Sequence, residues 1–422
     1  MALRLIFSVL FLTVTTLHAQ DTLFILQPDR VFDGESVHTN WTVAIQGERI
    51  VAAGEGLTLD TTQAVVQRID ASGKTLMPGL IDAHTHVLLH PYNETSWNDQ
   101  VLVESWAERT ARATVHARKT LLAGFTTIRD LGTEGAGYTD VGIKEAIAKG
   151  VIPGPRMLVA TRAIVATGSY GPKGFAEHVE VPLGAEPADG TNLVSVVRNQ
   201  IGKGADLIKV YADYRWGLNG EAMPSFSEDE LRLIVETAKS SGRPVVAHAS
   251  TAEGIRRATM AGVATIEHGD GGTPEVFALM AKKGVALCPT LAAGDAIMQY
   301  RGWQKGSDPE PERIQQKRQS FQQALQAGVK LCAGGDTGVF THGDNARELI
   351  MMADYGMENL DVLRAATSVN ADVLGIAARV GRIRPGLLAD MILVEGNPQE
   401  SLQALYQVHW VMKGGKSYTT AY

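Results

Sequence analysis

The middle of the chain alternates two textures so regularly that few folds can accept it. Eight short apolar segments recur: "LMPGLIDAH", "FTTIRDL", "RMLVATRAI", "ADLIKVYA", "PVVAHA", "VATIEHG", "VALCPTL" and "VKLCAGGD". Between them lie helical stretches such as "TARATVHARKTLLAG", "SEDELRLIVETAKSSG", "AEGIRRATMAG", "PEVFALMAKKG" and "QQKRQSFQQALQAG", nearly all closed by a glycine, as a helix C-terminus prefers. Strands that return through helices must run parallel, with the helices covering the sheet. Eight such units between residues 79 and 378 predict an α/β fold, a (β/α)8 TIM barrel, whose usual size is about 250 residues plus insertions. On either side the texture is β alone. From about Asp21 to Lys74 come "TLFILQ", "WTVAIQ", "RIVAAG" and "AVVQRID", and the C-terminal "GRIRPGLLADMILVEGN" and "VHWVMKGGKSYTT" match them. These ends are expected to pair into one small β-sandwich-like domain, giving a division into 1–19, 20–78, 79–378 and 379–422.

The first of those pieces reads as a signal peptide. "MALRLIFSVLFLTVTTLHAQ" has an early Arg, an apolar run from Leu5 to Leu17, and Ala19 as a small residue for cleavage. A bilayer span needs about 20 apolar residues, which no segment supplies, so the expectation is a periplasmic or secreted protein with no membrane attachment once the signal is removed. With 45% hydrophobic and 20% charged residues the chain is not disordered. Its net charge of -7 and lack of a basic run exclude nucleic acid as a partner. Cys288 and Cys332 both sit in apolar runs and read as buried small hydrophobes rather than as a bridge or a nucleophile. Asn40-Trp41-Thr42 and Asn93-Glu94-Thr95 are glycosylation acceptors only in a host that glycosylates.

In such a barrel the reacting groups belong at the C-terminal ends of the strands. Six metal-compatible side chains fall there: His84 and His86 on strand 1, Lys209 on strand 4, His248 on strand 5, His268 on strand 6 and Asp336 on strand 8. Residues i and i+2 of a strand share a face, so His84 and His86 can grip one cation together. Alone, each histidine would read as a satisfied core residue, and Lys209 as a snorkelling side chain or a partner of Asp213. Together they read differently. A lysine in an apolar strand is costly to bury charged, and its neutral amine can react with carbon dioxide to give a carbamate, a two-oxygen bridge between two cations about 3.5 to 4 Å apart. His248 and His268 would hold the second cation, and Asp336, freed by two preceding glycines to approach closely, would serve the first and accept a proton from water. Two divalent cations, a carbamate, a carboxylate and a hydroxide sum to about +1, which favours acidified water near neutral pH.

This order, within "MPGLIDAHTH", "KVYAD", "VAHA", "TIEHGDGG" and "HGDNARE", resembles the amidohydrolase superfamily, in its imidazolonepropionase-like, Xaa-Pro dipeptidase branch, including secreted bacterial ochratoxin-hydrolysing members. The resemblance covers nearly all of the chain after the signal. It implies two divalent metal ions, zinc among the candidates, held by His84, His86, His248, His268 and Asp336, with carboxylated Lys209 as the bridge, and a homo-oligomer, an octamer in some relatives. One motif departs. Dipeptidase relatives often carry a Gly-His turn after strand 3 that helps hold the substrate carboxylate, whereas "ATGSYGPKG" places Tyr170 there, which puts a preference for proline dipeptides in doubt.

Two long segments leave the same rim. Residues 166–192 are Gly- and Pro-rich and are expected to form a lid with Ser169 and Tyr170 facing the pocket, and "DAIMQYRGWQKGSDPEPER" is expected to be an insertion offering Tyr300 and Trp303 to an acyl group. His342 could polarise a carbonyl, while Tyr211 and Arg215 are candidates for a free carboxylate. The expected activity is hydrolysis of the amide in an N-acyl amino acid or dipeptide with a free C-terminal carboxylate, ochratoxin A being one such molecule. A cyclic amide hydrolase or deaminase is the rival enzyme, and a metal-binding protein without activity the rival of another class.

Overall fold

The computed structural model describes residues 22–418 apart from Gln63, so the expected signal lies outside the described residues. Seven of the eight expected inner strands form. In chain order they are Leu80–Thr85, Phe125–Asp130, Arg156–Val159, Ile208–Tyr211, Val245–Thr251, Thr265–Gly271 and Ala286–Cys288. Every pairing among them is parallel. The helices between follow local rules. Glu228–Lys239 starts with a capping box in which Ser227 and Glu230 satisfy each other's main-chain N–H, and buries Leu231, Ile234 and Ala238 at three- and four-residue spacing. Ala252–Ala261 and Pro274–Lys283 stop at Gly262 (φ +91°) and Gly284 (φ +72°), left-handed positions where a Cβ would be strained.

The α/β architecture is of TIM-barrel type, with two departures from the expected ring. The parallel strands fall into a three-stranded and a six-stranded sheet rather than one continuous ladder; a single main-chain bond, Asp206 N to Val159 O, ties the third strand to the segment before the fourth. The eighth segment is not a strand. It touches its neighbours through isolated parallel bridges, Leu287 with Leu331 and Thr85 with Thr337. Glycine allows a close approach here, since a Cβ at Gly334 would stand 2.7 Å from the His84 nitrogen, and main-chain bonds from Ala83 N to Ala333 O, Asp336 N to His84 O and His86 N to Thr337 O hold the segment alongside the first strand.

The two ends do meet. Lys416–Tyr418, Val408–Lys413, Met391–Glu395, Lys74–Pro78, Arg30–Phe32 and Val37–His38 make one six-stranded sheet, and Thr22–Leu26, Trp41–Gln46, Arg49–Glu55 and Val65–Ile69 make a four-stranded one. Val31, Val43, Ile45, Leu76, Met391 and Leu393 are buried together between them. Phe32, Met77, Ile392 and Val411, however, belong to the same apolar cluster as the barrel-type body, so one core runs through both parts. Gly79 alone separates the last N-terminal β segment from the first inner strand.

Two expectations need correction. Cys288 and Cys332 form a disulfide: the parallel pairing of Leu287 with Leu331 sets the next residues side by side, with 4.8 Å between their Cα atoms. The stretch read as an insertion after the seventh strand begins as helix, since Leu291–Tyr300 runs into it and buries Leu291, Ala292, Ala293 and Ala296.

Candidate metal centre

His84 and His86 end the first inner strand as the two-residue period requires, and Asp336 is brought to them by the irregular eighth segment, whose Asp336 N–H donates to the His84 carbonyl at 2.8 Å. One ligand atom from each of the three lies within 4.8 Å of the others, a group that could hold a metal ion. The tautomers are set from behind. His84 Nδ1 donates to Glu267 at 2.8 Å and His86 Nδ1 to the Gly132 carbonyl at 2.8 Å, which turns both Nε2 lone pairs inward. Asp336 Oδ1 is 3.2 Å from His86 Nε2 and 3.6 Å from His84 Nε2, yet this buried oxygen accepts no well-formed hydrogen bond. A buried carboxylate oxygen without a donor, facing two imidazole lone pairs, fits a cation.

His248 and His268 stand beside this group, 4.4 Å apart between ring centroids, with His268 5.2 Å from His84. Thr290 fixes the His268 ring through Nδ1 at 2.7 Å, and Tyr211 stacks on His248 at 4.5 Å. Lys209 is fully buried and makes neither a salt bridge nor a hydrogen bond among the described residues. Asp213, its alternative partner, is instead saturated by Ser250 and Thr251. An unpaired buried amine also fits a group that must lose its charge or bind something.

The charges respond to this crowding. Burial pulls Lys209 down to about 8 against the pull of Glu267 and Asp336, and burial with the Lys209 charge takes His84 to about 4 and His248 to about 3. Burial would lower His86 too, but the Asp336 carboxylate outweighs it and raises the ring to about 9, so without an ion a proton on Nε2 stands where a bound cation would displace it. Burial would raise Asp336, yet His84, His86 and Lys209 hold it well below the usual carboxylate range. Backbone strain gathers here as well. His268 (φ 76°), Thr290 (φ 52°) and Asp336 (φ 62°) are non-glycine residues in left-handed conformations, costing about 1–3 kcal/mol each, which a fold tolerates where it serves a site.

A cavity of about 760 Å³ opens above, lined by His248, His268 and Asp336 and by Tyr170, Tyr211, Arg215 and Tyr300. Three expected contacts do not reach it. Ser169 is buried with its hydroxyl donated to the Ala166 carbonyl, closing its own turn. His342 is buried against His116, 4.2 Å between centroids, and its Nε2 bonds the Leu89 carbonyl. Trp303 follows the Leu291–Tyr300 helix without joining the lining. Tyr170 faces the cavity, but its hydroxyl proton goes to Glu134 at 2.7 Å.

Sequence reasoning missed Glu267, Arg129 and Glu134. Glu267 holds His84 with one oxygen and Arg129 with the other at 2.8 Å, all three buried. The signal was present, because Arg129 in "FTTIRDL" and Glu267 in "VATIEHG" are charges in apolar strands just as Lys209 is.

Known proteins are similar to this chain in sequence and fold. Ochratoxinase of Aspergillus niger is 31% identical over 376 residues, covering 81% of this chain and 75% of that protein. A solved Xaa-Pro dipeptidase with bound methionine in the active site superposes with a TM-score of 0.83 at 29% identity, over 94% of this chain and 100% of that one. A solved prolidase complexed with N-methylphosphonate-L-proline gives 0.81 at 30% identity, over 94% and 99%. The amidohydrolase family profile matches residues 75–418, and the chain belongs to that family.

Proposed function

We propose that the protein is a binuclear metal-dependent amidohydrolase that releases the C-terminal residue of N-acyl amino acids or dipeptides bearing a free carboxylate. One observation carries this reading: four imidazoles, an unpaired buried lysine and a carboxylate with an orphaned oxygen converge beneath a single cavity. His84, His86 and Asp336 would hold one ion, His248 and His268 a second, and Lys209, carboxylated, would lie between them. Zinc suits imidazole and carboxylate donors. Such ions supply Lewis acidity to an amide carbonyl and acidify water. Asp336, ionised at neutral pH, would take the proton of the attacking water through the oxygen that does not hold the ion and deliver it to the departing nitrogen as the C–N bond breaks. Tyr211, whose phenol burial keeps protonated, and Arg215, 3.4 Å from the Tyr214 hydroxyl, would hold the substrate carboxylate, a role supported by their both lining the cavity. The amide-cleaving relatives support the reaction class, and the prolidase ligand, an amino acid derivative, supports the substrate class. The disulfide supports export, since such bonds persist in oxidising compartments.

The test is a release assay. Zinc-loaded protein is incubated with acylated amino acids, dipeptides, the same compounds with the carboxylate amidated, and hydantoins, and the liberated amine is identified. Hydrolysis that depends on the free carboxylate supports the proposal. Equal turnover of the amidated set, or turnover of hydantoins alone, refutes it.

A further inference from the structure

The wall of the cavity carries positive charge that the metal centre does not use. Three carboxylates line the space, and each is committed: Asp336 to the expected ions, Asp213 to Ser250 and Thr251, and Asp270 to the Lys317 ammonium. Against them stand Arg215, Arg301 and Arg313, which line the same space and form no ion pair among the described residues. Arg215, lying over the Tyr214 ring at 5.5 Å, is accounted for by the substrate carboxylate proposed above. Arg301 and Arg313 are not.

These two lie on the other side of the reacting centre from Arg215. In the six-stranded parallel sheet the order runs from Ile208–Tyr211 through Val245–Thr251 and Thr265–Gly271 to Ala286–Cys288, so His248 and His268 stand between the strand that ends in Tyr211 and the one that leads to Thr290. From buried Thr290, which bonds His268, the helix Leu291–Tyr300 runs to exposed Arg301, about 16 Å along its axis. Its cavity face is Ala293, Gly294, Ile297 and Tyr300, at helical spacing. The helix Glu312–Gln326 lines the same end. Buried Lys317 donates to the His268 carbonyl at 2.9 Å, while exposed Arg313 and apolar Ile314 sit about one turn nearer the helix start. The two helices thus give a small, apolar lining next to His268 and two unpaired guanidinium groups at its outer end.

We propose that this arm of the cavity is the acyl subsite, and that the acyl group it takes is an apolar chain ending in a carboxylate. The proposal rests on the amide-hydrolysing reading above and narrows the acyl half of its substrate. With the α-carboxylate at Tyr211 and Arg215, an amide lying over His248 and His268 sends its acyl chain towards Thr290. The methylene groups pass Ala293, Ile297 and Ile314, and the far carboxylate meets Arg301 and Arg313, whose planar forks suit that anion. A cavity of about 760 Å³ has room for a ligand of this length. Hydrolysis adds one water across the C–N bond and gives a free amino acid and a dicarboxylic acid. A neutral acyl chain could occupy the same lining, but it gains nothing from the two arginines.

The experiment compares succinyl-, adipoyl- and suberoyl-phenylalanine, each with its partner in which the far carboxylate is an amide, on the zinc-loaded full chain and on the Arg301→Gln, Arg313→Gln double variant. The readout is the ratio of kcat/KM for acid over amide at each chain length, since damage to folding or metal loading affects both compounds alike. The subsite predicts a ratio of at least about tenfold for adipoyl or suberoyl, the size expected of a hydrogen bond to a charged group, a smaller one for succinyl, whose carboxylate stops short, and a fall towards one in the double variant. A parent ratio near one at every length, a preference equal at all three lengths, or a ratio that the double variant leaves intact overturns the subsite. Release of phenylalanine from the amides with any of those outcomes leaves the amide-hydrolysing function standing, whereas no release from any compound removes both.

Discussion

Replacing Glu267 by Gln tests how the centre is held from behind. The carboxylate is wholly buried between the Arg129 guanidinium and His84 Nδ1, each at 2.8 Å. Burial alone would raise its pKa, but Arg129, then His84, bring it from 4.5 to about 2. A folded pKa below the ordinary value means a contribution that is complete above about 4.5 and lost as the pH falls towards 2. At 1.36 kcal/mol per pH unit the difference is about 3 kcal/mol at neutral pH. Stranding Arg129 without a counter-charge has a cost in the same range, about 3–5 kcal/mol for one broken partner of a buried pair. Glu267→Gln in chelator-treated protein should therefore lose about 3 kcal/mol in urea denaturation at pH 7.5. It should also weaken zinc about 10–100-fold in competitive titration, because His84 loses the acceptor that fixes its tautomer. Adding Arg129→Met removes the stranded charge and should restore most of the stability while the zinc affinity stays low. A single variant as stable as the parent, or one binding zinc equally well, would show that this carboxylate neither pays for Arg129 nor aims His84.

Three further outcomes follow from the same structure. Arg215→Ala should raise KM about tenfold for substrates with a free carboxylate and leave kcat nearly unchanged, with no such shift for amidated substrates, as steady-state kinetics would show. His116, stacked on His342 and driven down to about 4 by burial, contributes stability that is complete above about 6.5 and lost as the pH falls to 4; other buried histidines add to the loss, so His116→Phe should shrink the drop seen in melts across that window by about 3 kcal/mol rather than abolish it. The Cys288–Cys332 bridge closes a sequence separation of 44, so the double change to Ala should cost about 4 kcal/mol in denaturant melts if unfolded-chain entropy governs its effect.

Much of this was legible because local rules and tertiary demands agree. Helix termini at Gly262 and Gly284, the capping box at Ser227 and the placing of His84 and His86 all follow from short-range chemistry that the sequence states directly. The eighth inner segment was misread because "VKLCAGGD" has strand composition, while Gly334 packs directly on the His84 backbone and the segment joins its neighbours only through isolated bridges. The disulfide was hidden for a related reason: cysteine burial is common, and only the pairing of Leu287 with Leu331, 44 residues apart, brings the two sulfurs together. Ser169 and His342 sit near the rim in sequence but turn into local hydrogen bonds, a choice made by side-chain rotamers that no spacing rule reveals. Glu267 and Arg129 were readable in principle, since each is a buried charge that demands the other.

The central claim is that Lys209 reaches between two ions as a carboxylated side chain. Anomalous diffraction from zinc-soaked crystals grown with bicarbonate tests it most directly. The account predicts two zinc peaks, one at His84, His86 and Asp336 and one at His248 and His268, with density extending past the Lys209 amine to both. One peak beside a bare amine, in crystals whose dissolved protein is active, would contradict it.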